Sequence, residues 1–263
     1  MPKKTKQQST GECTYCGEFG PLTDDHIPPK SIFPKPREGV ITVPACEECN
    51  STAGFDDEYF RPMLIFRADV VDHPTIQQLV ETEMRGLQRP QKERTKQAFS
   101  ESISTVGVTL PDGTREDRGA YNVDKYRLSR VVARTTQGLF FKGFGRRMNP
   151  EYVAVALAAR TAGEYTEGLL DDPNVEGRFH RYFETIMRDV PAEKVGPHDI
   201  FEYRVHIFDQ NEPEKSLWAL TFFGAVTFLV VPQLRSEALP KWRKFVFPPP
   251  PIPPFEFPGP SRT

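Results

Sequence analysis

Cys13-Thr14-Tyr15-Cys16 and Cys46-Glu47-Glu48-Cys49 are two Cys-x-x-Cys pairs, and they hold all four cysteines of the chain. Two residues between cysteines let both thiolates turn toward one ion, and two such knuckles supply four sulfurs at tetrahedral geometry, the set that suits zinc. A closed site of four thiolates leaves no position for water and is structural. Its binding energy, on the order of 10 kcal/mol, organises a module too small to build its own core. A redox thiol pair would stand alone beside a βαβ unit, which this pattern does not offer. The competing reading is four cysteines that serve only as small core residues.

Disulfides are not expected. Behind the basic start Met1-Pro2-Lys3-Lys4-Thr5-Lys6 comes no apolar run, so it does not read as a secretory signal. No apolar stretch is long enough for a transmembrane helix. A reducing, cytoplasmic setting follows as the expectation, with no membrane partner. Apolar residues at 38% and charged residues at 27% permit a sizeable core. The formal net charge of −2 neither argues for nucleic acid nor excludes it, because binding depends on local clustering.

Composition divides the chain into a disordered tail over 1–10, a metal-organised module over 11–61, a larger domain over 62–247 and a proline-rich tail over 248–263. Phe60, Leu64 and Ile65, then Ile76, Leu79, Val80, Met84 and Leu87, recur at helical spacing, with Pro74 splitting them into two helices. Ile103, Val106 and Val108 alternate. Pro111-Asp112-Gly113 is a turn signal, and Tyr121 and Val123 close a hairpin. Helices are predicted over 124–142, 151–162 and about 174–188. Strands are predicted over 200–208, 217–223 and 225–231, and an extended polyproline segment from 247. Helices beside a small antiparallel sheet make the class α+β. No Gly-rich phosphate loop and no Gly-x-Ser-x-Gly turn occurs.

Between the cysteine pairs lies Thr23-Asp24-Asp25-His26-Ile27-Pro28-Pro29-Lys30, and Asn50 follows the second pair directly. Together with Ile41-Thr42-Val43-Pro44-Ala45 and Asp56-Asp57-Glu58-Tyr59-Phe60-Arg61, this arrangement resembles the bacterial HNH endonucleases. The resemblance covers about residues 12–61. It implies a two-stranded ribbon and a helix that grip one catalytic divalent ion, magnesium or a similar metal, with DNA as partner. His26 is then the general base, Asp25 and Asn50 are ligands to the ion, and Lys30 touches the phosphate. These residue types suit phosphodiester hydrolysis. An imidazole near neutral pKa takes a proton from water, and hard oxygens hold a hard cation. Plain structural readings stand beside these: His26 as a structural histidine, Asn50 as a helix N-cap, and Asp56, Asp57 and Glu58 at a helix N-terminus. The chain departs from the family at Ile41, where an Asn or His that orients the catalytic His is usual.

In the helix over 124–142, Arg127, Arg130 and Arg134 share one face, and Lys142, Arg146 and Arg147 extend the charge. They are the candidate phosphate-binding surface, with an ordinary solvated basic face as the plain alternative. His73, His180, His198 and His206 form no second constellation. The leading expectation is a metal-dependent endonuclease. The alternatives are a zinc-ribbon module that binds nucleic acid or protein without catalysis, and an interaction factor that works through the proline tail. Oligomeric state has no signal in the sequence.

Overall fold

The computed structural model describes residues 9–90, 93–109, 113–160, 183 and 185–236. The proline-rich tail, most of the N-terminal tail and most of the helix expected over 174–188 lie outside these, although residues 185–187 are helical. Thr10, expected in the disordered tail, opens a strand.

The described fold is α+β with antiparallel sheets. Strands β1 (Thr10–Glu12), β2 (Phe19–Ile27) and β3 (Ile41–Cys46) form a sheet in the order β1-β2-β3, and helix α1 (Glu47–Ile65) follows β3 without a loop. Helices α2 (Ile76–Leu87) and α3 (Glu93–Ser102) lead into the exposed hairpin of β4 (Ile103–Thr109) and β5 (Arg115–Tyr121). Helix α4 (Lys125–Phe144) is followed by β6 (Tyr152–Arg160), β7 (Glu193–Val195), β8 (Phe201–Ile207), β9 (Ser216–Phe222) and β10 (Val226–Leu234). These five strands order as β6-β10-β9-β8-β7.

Helix α4 is the axis of the molecule. Asp124 caps its start by accepting from the N–H groups of Tyr126 and Arg127, and Gly145 ends it in the left-handed region at φ 66°. Residues 128, 129 and 131–140 are all buried, as in a helix covered on every side. At Gly138 it meets β2 so closely that a Cβ would lie 2.6 Å from Ile27 Cδ1. The five-stranded sheet is also covered on both faces. Trp218, Leu220 and Phe222 alternate toward the main core, and Leu217 and Ala219 pack with Phe183 and Met187 on the other face.

Two-sided burial explains a misread element. A helix is expected over 151–162, but Tyr152–Arg160 form β6, paired to β10 along its length, and 161–162 lie outside the described residues. Val153-Ala154-Val155-Ala156 is apolar on both faces, and such a run has no period to separate strand from helix.

One cluster of buried residues runs from Cys13 and Leu22 through Phe60 and Val131 to Phe222 and Phe228. Phe60 of α1 stands 5.2 Å from Phe222 and 6.0 Å from Phe228, ring centre to ring centre. The boundary expected at 61/62 therefore falls inside α1, which carries its apolar face directly into the larger sheet.

Candidate metal centre and its surroundings

The four cysteines meet. Their sulfurs all lie within 4.8 Å of one another, Cys16 and Cys46 at 3.8 Å, and all four are free thiols. A tetrahedral ion with metal–sulfur bonds of about 2.3 Å sets sulfurs about 3.8 Å apart, and a disulfide would need about 2.05 Å. The site therefore fits a metal ion such as zinc. Local structure builds each half. The first knuckle turns back through Gly17 at φ 81°, with the Gly17 N–H donating to Cys13 O and the Glu18 N–H to Cys16 Sγ. The second knuckle is the N-terminus of α1, where Cys46 caps the helix and accepts from the Cys49 N–H. A hydrogen bond from Cys49, against the effect of burial, brings the Cys13 thiol down to about 4, and the same bond pushes Cys49 far up. Crowded thiols that share protons in this way ionise together once a cation is present.

Asp25 does not lie open to an ion. It is 3% exposed, and its Oδ2 accepts from the Tyr15 hydroxyl at 2.5 Å and faces Arg134 Nη1 at 3.4 Å. Arg134, 1% exposed, also donates to Asp57 of α1. One buried guanidinium thus joins the first knuckle, β2, α1 and α4. Burial outweighs the Arg134 charge at Asp57 and lifts its carboxyl to about 6, while Arg134, despite its burial, holds its proton more tightly than usual because two carboxylates face it. The two shifts agree once the charges are counted: one cation serves two acids. A divalent cation at Asp25 would stand beside that guanidinium, so this carboxylate does not fit the catalytic-ion role in the present arrangement.

The three arginines expected as a basic stripe share the face of α4 that is turned toward α1, with Arg134 buried and Arg127 and Arg130 partly exposed. Arg130 makes a bidentate pair with Asp56 at 2.6 and 2.8 Å. Arg127 bonds Asp56 at 3.0 Å and lies over the Tyr59 ring. Arg146 is held by Glu214 at 2.7 and 2.9 Å. Asp56 and Asp57, expected at a helix start, sit in the middle of α1 because the helix begins at Glu47.

His26 lies on the other face of the hairpin from Asp25. Its cross-strand partner is Thr42, whereas Ile41 pairs with Ile27 and packs against the core. No side-chain hydrogen bond to His26 occurs among the described residues. Burial and then the Lys30 charge, with Arg37 adding to it, push the imidazole below its ordinary value. Lys30 and Arg37 are exposed on the loop after β2. Asn50, in the first turn of α1 and not at its cap, donates to Thr23 Oγ1 at 2.9 Å and toward the Asp24 carbonyl at 3.5 Å. Asp25 and Asn50 thus have separate partners. The strand register sets the exposed Thr42 opposite His26, a placement that spacing in the sequence does not report.

The chain matches no family model, no curated protein and no solved structure.

Proposed function

We propose that the chain is a zinc-stapled endonuclease of the HNH type that hydrolyses phosphodiester bonds in DNA, with His26 as general base. What carries this reading is an imidazole held by no side-chain partner among the described residues, on the open face of a cysteine-clamped hairpin, near the exposed cations Lys30 and Arg37. His26 would take a proton from water as the water oxygen bonds to phosphorus and the ester P–O bond breaks. The departing oxygen then takes a proton from solvent. General-base help of this kind contributes about 10²–10⁴-fold. Lys30 and Arg37 would draw in the phosphate. A divalent ion such as magnesium supplies charge relief at the phosphate when bound. Asn50 is the candidate oxygen ligand that remains once Asp25 is tied to Arg134 and Tyr15.

The tie on Asp25 favours a second reading, a zinc-bound module that binds nucleic acid without cutting it. Plasmid DNA incubated with magnesium or manganese separates the two. The nuclease reading expects nicking by the wild type and its loss in His26→Ala. Equal nicking by both proteins, or none in either metal, overturns it. Salt-dependent binding without nicking leaves the second reading.

A further inference from the structure

A cleft opens between the first cysteine knuckle and the end of α4, and its lining includes Thr14, Gln137, Arg147, Pro150, Tyr152 and Arg235. It measures about 260 Å³ with its open mouth. Thr14 is 4% exposed, and its backbone is fixed by the N–H bond to Pro44 O, yet its hydroxyl has no hydrogen-bond partner. Arg147 Nε is likewise buried without one. A buried polar atom left unpaired is costly, so two of them lining one cleft point to a bound group that pairs with them.

The charges say which group. Among the described residues the Arg147 guanidinium makes long contacts, 3.5 Å to Glu12 and 3.5 Å to Tyr15 O, and Glu12 is more than half exposed. Its guanidinium lies against Gly17, where a Cβ would stand 1.7 Å from Nη1, so only glycine leaves it this room. Arg235 bonds Pro150 O through Nε at 2.6 Å and is exposed. Arg146 next door is neutralised by Glu214 and adds nothing. The cleft therefore gathers two guanidinium groups, and Glu12 is a long carboxylate contact of Arg147. We infer that it binds one phosphate-type oxyanion, with charge from Arg147 and Arg235 and a hydrogen bond from the Thr14 hydroxyl. The anion is either free phosphate or a phosphate of a nucleic-acid backbone. The inference stands apart from catalysis by His26.

The test titrates zinc-loaded full-length protein with inorganic phosphate, and separately with a short phosphorothioate duplex, by calorimetry. Thr14→Val keeps the side-chain shape and Arg235→Gln changes an exposed residue, with zinc content measured in each. Expected is phosphate binding by the wild type, weakened about 2–10-fold in Thr14→Val and about tenfold in Arg235→Gln. Competition between phosphate and duplex identifies the backbone as the source, and binding of phosphate alone identifies the free anion. Failure of both to bind the wild type, or wild-type affinity in both variants, overturns the inference and leaves a water site only. His26→Ala keeps the phosphate affinity, so loss of cleavage there leaves the cleft untouched.

Discussion

Arg134 shows what a single side chain does in this protein. Its guanidinium is sealed among Asp25, Asp57 and the Tyr15 hydroxyl, so removing it leaves buried carboxylates without a cation. Arg134→Met is expected to cost about 3–5 kcal/mol in a urea titration, whereas a surface arginine would cost under about 1 kcal/mol. Asp57 has the opposite sign. Its folded-state pKa of about 6 lies above the ordinary 3.8, chiefly through burial. The protonated form is therefore favoured in the fold, and its contribution is full below pH 3.8 and lost as pH rises through 6. Asp57→Asn lacks this dependence, so from about pH 4 to 7 its stability should gain on the wild type by on the order of 2–3 kcal/mol. A gap that narrows or stays constant would show that Arg134 holds Asp57 ionised throughout. At this scale the sequence was uneven. Cysteines at a two-residue spacing announce a shared ion, because the geometry is local. Asp25 announces nothing about Arg134, which stands 109 residues away.

Elements were legible where a period or a flanking turn marks them. The β4–β5 hairpin and β8 follow their alternation and α2 its helical period, while β9 and β10, buried on both faces, stand out as short apolar runs divided at Gly224. β6, equally covered, is rich in Ala, a helix former, and was misread. Helix α4 is the instructive intermediate. Its arginines were found on one face, but a charge stripe reads alike whether water or another helix faces it. The start of α1 at Glu47 decided the matter by bringing Asp56 and Asp57 opposite Arg127, Arg130 and Arg134. The α1–α4 seam is thus partly ionic, with Arg130 and Asp56 18% and 13% exposed. A double-mutant cycle on Asp56→Ala and Arg130→Ala should return a coupling of about 1–3 kcal/mol. If the coupling is near zero, the seam is held by its apolar residues alone.

At the scale of the whole molecule, composition suggests a zinc module followed by a separate domain. The contacts argue for one cooperative body, because α1 starts as a metal knuckle and ends against Phe222 and Phe228. Spacing and composition are local properties and do not report which core a helix face joins. The consequence is testable through Trp218, which is 1% exposed in the core of the far sheet. Trp242 is replaced by Phe so that the fluorescence reports one site. If the described residues unfold together, zinc release, followed with a chromophoric chelator, and the Trp218 signal change at the same urea concentration. Chelation beforehand then lowers the Trp218 midpoint as well, because an ion bound only to the folded state stabilises all of it by mass action. Two midpoints, with zinc lost while Trp218 keeps its native signal, would instead make the N-terminal segment an independent module. Some α1 contacts with the sheet would then have to break first.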